Sequence, residues 1–500
     1  MTTYKYKSSK SVFQGCLIVF FVALCIYLLC ALSLIACQYQ NDIFLGIDSS
    51  SNYWSLYLNC HNPKFGYIKF GKHPLFDIIV IPYISFISHF IKKPNLLPII
   101  CQTIISSLSV SIFYSCLKKI VFNKYLTYII TAIFMLSFSN IIFSSIPERY
   151  IYSGIIQVIL LYLAISNTEY KIQHKMKFVL IFVLALLSVL NFGINVCNIL
   201  PNAILCLYIL SKQNKNFVKT MQDILILSCT ILSLFFALFY IQNKIYYKID
   251  ISNISGSRVL SSVFKYFKCT YTKAERIEFA TWGTYIEPIY SLKIIDTKRG
   301  VDKLRIGRHG LLRGLFYIDI EKRRIFKKTL KFSLTQNFKD IILFLVYLIL
   351  PLFYIIKNKK IENARLLLTL SIILLINLIY HYYWSCKDCF LFSQNFLCFL
   401  VMYIALLYKN LPANRAVIFC SAFLGYQIYM NMISILQMHQ FANRHFSYLL
   451  EQYFNNRIIF CIIFGFILSI LSVLICNHLL HLKCGEEGCG NQKLYKNIEN

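Results

Sequence analysis

Gly71-Lys72-His73-Pro74-Leu75-Phe76, GKHPLF, opens an apolar run that continues to Ile91. Whether residues 74–91 cross a bilayer or lie along it decides the fold, because the side of every later segment follows from it. Thirteen apolar runs fall at about 12–37, 74–91, 96–117, 125–146, 150–166, 178–192, 194–210, 221–243, 341–356, 363–380, 390–408, 414–436 and 457–480. If all of them crossed, the basic loops between them would be divided between two compartments. If the 74–91 run alone does not cross, one side receives Lys5, Lys7 and Lys10, then Lys118/Lys119/Lys124, Lys171/Lys175/Lys177, Lys212/Lys215/Lys219, Lys357/Lys359/Lys360/Arg365, Lys409/Arg415 and the terminal Lys483, Lys493 and Lys496. Short loops rich in Lys and Arg stay cytoplasmic. The run also carries Asp77, Pro82 and His89, which suit a helix lying at the interface better than one in hydrocarbon. The expectation is an all-α polytopic membrane protein with about twelve transmembrane helices, an external interfacial helix after the first span, and both termini cytoplasmic.

Composition carries the membrane reading independently. The 500 residues are 58% hydrophobic and only 14% charged, and several runs reach the length that spans a bilayer. Fifty-one Lys and Arg against 21 Asp and Glu leave +30. In a soluble chain that excess would point to nucleic acid. Here it sits in short loops, which argues against a nucleic-acid partner and for positive-inside topology with anionic lipid contact. Most of the 19 cysteines lie inside apolar runs, as Cys16, Cys25, Cys30, Cys206, Cys229 and Cys461 do, and act there as small hydrophobes. Cys386 with Cys389, and Cys484 with Cys489 near His481, have spacings of a disulfide or metal site without a full ligand set. Leu34-Ile35-Ala36-Cys37 follows an apolar run longer than a signal peptide's, so that run reads as an uncleaved first span.

Residues 1–243 read as an N-terminal transmembrane module, 244–340 as one large external loop or subdomain, and 341–500 as C-terminal transmembrane helices. Residues 178–210 are too long for one crossing, at about 50 Å of helix. They read as two spans turning at Asn191-Phe192-Gly193-Ile194-Asn195.

On this topology four polar features share the external face. They are Asp42 and Asp48-Ser49-Ser50-Ser51 beyond the first span, Lys72-His73-Pro74, Pro147-Glu148-Arg149-Tyr150, and Asn191 to Asn195. Each has a structural reading: Asp48 as a helix cap, Pro74 as a first-turn proline, Lys72 at the headgroups, and Glu148-Arg149 as a self-paired couple. Ionisable residues at membrane depth are costly, so their gathering on one side marks a candidate site.

A first-loop acid, then HP-L opening an interfacial helix, then Pro-Glu-x-Tyr two spans later resembles the C-type (GT-C) polytopic membrane glycosyltransferases, an uncharacterised bacterial branch of which uses polyprenyl-phosphate sugars. Phe390-Leu391-Phe392-Ser393 is similar to the late spans of that group. The resemblance covers residues 1–210 well and the remainder weakly. It implies Asp48 as the catalytic base or, as in some members, a metal ligand, with Asp42 competing, and His73 and Glu148 as substrate-binding residues, to which the chemistry adds Lys72 and Arg149. It also implies a polyprenyl-phosphate-sugar donor, a glycan, lipid or protein acceptor, and a bacterial inner membrane. Asp48 is followed by Ser49 where the family commonly has a second acid, so no cofactor is expected, and a divalent cation, though compatible with the family, lacks its carboxylate pair here.

The chemistry agrees with that assignment. Transfer needs a base for the acceptor hydroxyl and cations for the leaving phosphate, which Arg149, Lys72 and His73 supply. Two other functions remain open. Arg299 and Gly310 have the Arg-x10-Gly spacing of outer-face polysaccharide polymerases. A lipid-linked-sugar flippase would instead place charged or broken helices at mid-membrane.

Overall fold

The computed structural model describes residues 9–38, 73–91, 96–121, 123–166, 174–214, 216–244, 349, 351–353, 363–383 and 393–450. Among these the chain is helical, without strands. The helices are α1 (Ser9–Gln38), α2 (Phe76–Phe90), α3 (Leu97–Ile120), α4 (Lys124–Met135), α5 (Phe138–Ser145), α6 (Tyr150–Ser166), α7 (His174–Ile194), α8 (Ile199–Gln213), α9 (Phe217–Gln242), α10 (Ala364–Tyr383), α11 (Leu397–Lys409) and α12 (Ala413–Leu450). Among the described residues five helices are long and apolar enough to cross a membrane, or six if α4 and α5 form one bent span. α2, α6, α10 and α11 are apolar but shorter.

Each helix forms where an apolar run meets a local stop. Asn123 caps α4 by accepting the Leu126 N–H, and Asn216 caps α9 through the Val218 N–H. Pro98 occupies the first turn of α3, where its missing N–H costs nothing. α3 is the hub. It packs against α1, α6, α4 and α5, and its Val110, Phe113 and Leu117 have no exposed surface.

Contacts along the helices establish their directions. Near the start of α1, the Ser111 hydroxyl of α3 donates to the Cys16 carbonyl at 2.9 Å, so α1 begins beside the C-terminal half of α3. The same end holds Lys118, over the rings of Tyr114 and Tyr128 at 5.8 and 5.9 Å, and Lys119, over Tyr162 at 4.9 Å. α7 and α8 form the expected hairpin. Asn191 donates to Asn202 at 2.8 Å near the turn, and Lys177 donates to Asn214 at 3.0 Å at the open end. Lys177 also meets Asp223 of α9 at 2.7 Å. Lys118, Lys119, Lys124, Lys177 and Lys212 therefore share one end of the bundle, and the ends of α1, α5, α7 and α9 share the other.

The 125–146 run departs from the sequence reading. It is two helices, α4 and α5, meeting at 51°. The break frees backbone carbonyls, and side chains capture them. Gln427 donates to Ile133 at 3.0 Å, Asn140 and Ser137 to Phe134 at 2.6 and 2.8 Å, Tyr27 to Met135 at 2.8 Å, and Asn431 to Leu136 at 2.7 Å. Irregular backbone survives in an apolar bundle only when its polar groups are satisfied this way. α12 also differs, since its 38 residues continue to Leu450, past the run expected to end at 436.

Candidate functional site

The end opposite the lysines is where the chain enters α2 through His73, Pro74 and Leu75. Their groups are held by the α7–α8 turn. The Leu75 N–H donates to the Gly193 carbonyl at 2.8 Å. Nδ1 of His73 lies 2.5 Å from the Ile194 carbonyl. A carbonyl only accepts, so that nitrogen carries the proton and the ring is fixed in orientation. Only an imidazolium can hold this contact and also donate from Nε2.

The Pro147–Tyr150 turn packs against the same segment. The His73 ring meets Tyr150 edge-on at 5.4 Å between centroids, and the Arg149 guanidinium lies 5.0 Å from the centre of the Phe76 ring. A cation over an aromatic face is attracted by its quadrupole. Phe76 in turn meets Tyr152 at 6.0 Å. Glu148 is buried, at 4% exposure, and its carboxylate accepts the Arg149 N–H at 2.7 Å. It sits where α6 begins and the helix dipole favours an anion. The Gln102 carboxamide of α3 donates to the Glu148 carbonyl at 2.9 Å, placing the first turns of α3 at this level.

Three of the four expected features thus converge: His73, Glu148 with Arg149, and the turn through Gly193 and Asn195. Asp42, Asp48 and Lys72 lie outside the described residues, as do Cys386, Cys389, Phe390 to Phe392, residues 245–340 and the Cys484 and Cys489 pair. α1 ends at this end of the bundle, and the described chain resumes there at His73. Among the described residues no three His, Cys, Asp or Glu side chains gather as a metal group.

The sequence reading missed three parts of the site. Phe76 and Tyr150 were quoted only as motif letters, yet their rings flank Arg149 and His73. Gln242, the last residue of α9, donates to the Pro74 carbonyl at 2.8 Å and accepts the Ile78 N–H at 3.1 Å. It lies 168 positions from Pro74, and no local signal links the two.

Below the site is an uncharged polar layer. Ser153 donates to Asn395 at 2.5 Å, and Gln394 donates to Ser139 and Asn140 at 2.8 and 3.0 Å. An added Cβ at Gly154 would stand 2.9 Å from the Gln394 carboxamide oxygen, so the 393–395 turn rests directly on α6.

Compared with protein-family models, with curated proteins and with solved structures, the chain matches none of them.

Proposed function

We propose that the protein is a membrane glycosyltransferase that moves a sugar from a polyprenyl-phosphate donor to an acceptor hydroxyl at the external face. The observation that carries the reading is the meeting of His73, Arg149 and Glu148 at the end of the bundle opposite the lysines. Positive-inside charge makes the lysine end cytoplasmic, so this end is external and both termini are cytoplasmic. A bacterial inner membrane follows from the resemblance of the motifs. Twelve crossings remain the count that keeps the basic loops together.

The geometry of α2 supports the interfacial role. Its 15 residues extend about 22 Å, short of the roughly 30 Å hydrocarbon core. Five peptide units join Ile91 to Leu96 and reach at most about 18 Å. Tyr83, midway along α2, donates to the Cys101 carbonyl in the second turn of α3 at 2.9 Å, which supports α2 lying beside the start of α3. The polar entrance of α2 sets His73 and Arg149 where a lipid's charged head parts from its apolar tail.

In the reaction, a carboxylate on residues 39–72, Asp48 by the resemblance, takes the acceptor proton as the anomeric carbon loses its phosphate. Arg149, Lys72 and the imidazolium of His73 stabilise the leaving phosphate. Glu148 holds the start of α6 and so the aim of Arg149. The full chain in liposomes, supplied with polyprenyl-phosphate sugars, transfers sugar to an added acceptor. His73→Ala and Asp48→Asn each lower kcat at least a hundredfold, the scale of a lost acid–base or electrostatic group. Intact transfer in both variants would falsify the site.

One observation favours a second reading, the lipid-linked-sugar flippase: α4 and α5 form a broken helix inside the bundle, as transporter helices do. Against it, carbonyls at the break accept protein donors and the layer around them is uncharged. In the same liposomes, movement of the donor between leaflets without transfer would establish that reading instead.

A further inference from the structure

We propose that Gln242 is a positioning residue for the headgroup site, acting on His73 through the Pro74 peptide. This deepens the glycosyltransferase reading and rests on it.

The observation is a side chain that bridges the residue before the helix cap and a free N–H of the helix's first turn. Leu75 is the cap of α2, so Pro74 lies just outside the helix and the Ile78 N–H lies in its first turn. The Gln242 carboxamide joins the two, donating to the Pro74 carbonyl at 2.8 Å and accepting the Ile78 N–H at 3.1 Å. The first N–H groups of any helix lack an internal partner, and Gln242 supplies one for Ile78 while tying down the preceding carbonyl. Its side chain is 3% exposed, so water does not compete.

The chemistry selects a carboxamide. It presents a donor and an acceptor on one planar group, as a peptide does. A carboxylate only accepts and would face the Pro74 carbonyl with a lone pair. Leucine does neither. An asparagine at this position is one methylene shorter.

The mechanical consequence falls on His73. Pro74 has no N–H and a fixed φ, so the segment is oriented by what its other groups touch. α7 holds it through Gly193 and Ile194, at the Leu75 N–H and the His73 ring. α9 holds it through Gln242. The two gripping helices are themselves joined at the far end by Lys177 and Asp223, 2.7 Å apart. The turn carrying His73 is thus set between two tied helices. Without Gln242, the support from α9 is gone.

The test uses the full chain in nanodiscs of zwitterionic lipid, with Gln242→Leu, the isosteric Gln242→Glu, His73→Ala and the Gln242→Leu/His73→Ala double variant. Hydrogen exchange is followed in peptides covering 74–80 and 103–118, and undecaprenyl phosphate is titrated by native mass spectrometry. Both Gln242 variants are expected to speed exchange over 74–80 at least about tenfold, leaving 103–118 unchanged. Each single variant is expected to weaken undecaprenyl phosphate by about tenfold, and the double variant no more than the weaker single, the signature of one residue acting through another. Unchanged exchange overturns the clamp whether or not the protein transfers sugar. Multiplying losses overturn the positioning role. If exchange quickens while no variant, His73→Ala included, weakens the lipid, the headgroup site itself is wrong and the positioning role falls with it.

Discussion

Gly193 lies where two segments meet most closely. A Cβ there would stand 2.6 Å from Cβ of Leu75, a fully buried residue whose N–H already donates to the Gly193 carbonyl. Gly193→Ala forces the His73 turn off α7. The expected cost is about 1–3 kcal/mol, as for other overpacked sites, read as a shift of the unfolding midpoint in mixed micelles. Gly425, with nothing within 4 Å of its Cβ position, is the control. Its alanine variant is expected to be neutral or to gain a few tenths of a kcal/mol from helix propensity. The polar turn around Gly193 was legible as a break in an apolar run. Why it holds a glycine was not, because Leu75 lies more than a hundred positions earlier in the chain. The same holds for His73: the motif marked it, while its orientation depends on the Ile194 carbonyl.

At the scale of elements, the joint between α4 and α5 is held by donors from elsewhere. Tyr27→Phe removes the hydroxyl on the Met135 carbonyl, and Asn431→Leu removes the amide on Leu136. Each leaves a buried acceptor unpaired, and each is expected to destabilise by about 1–3 kcal/mol, measured by the same titration. Ser137, Ser139 and Asn140 interrupt that apolar run and were its only local sign of a break. They did not suffice, since polar residues inside a span often pair with their own helix. The hairpin of α7 and α8 was legible, because two crossings were the only way to fit its length. Its closure was not. Asp223, 8% exposed at its side chain, accepts from Asn214 at 2.5 Å as well as pairing with Lys177. Asp223→Ala leaves the Lys177 ammonium half-buried without its counter-charge. The expected loss is about 3 kcal/mol, measured as a lower unfolding midpoint and faster exchange in α9.

For the whole molecule, the arrangement sorts residues to two ends. With native thiols replaced, single cysteines at 93 and 244 are expected to react with an impermeant maleimide from one side of oriented vesicles. Cysteines at 118, 214 and 409 are expected to react only from the other. A cysteine at 93 that labels with the second group would mean that α2 crosses, and the common external site of Asp48, His73 and Glu148 would fall. The basic loops made this sorting legible, because their charge is distributed in sequence and needs no contact to be counted. The site was legible only as letters sharing a side.

The residues alone determined that the described chain is helical with several helices long and apolar enough to cross a membrane, where most of the described helices begin and end, and that one end collects the lysines. These follow from composition and run length, which act locally through the bilayer's aversion to polar backbone. Tertiary structure decided the rest: that His73 rests on Ile194, that Arg149 covers Phe76, that Gln242 enters the first turn of α2, and that one expected span is broken. Each depends on groups far apart in sequence arriving within hydrogen-bonding or van der Waals reach, and such meetings are set by how helices pack rather than by any pattern along one of them.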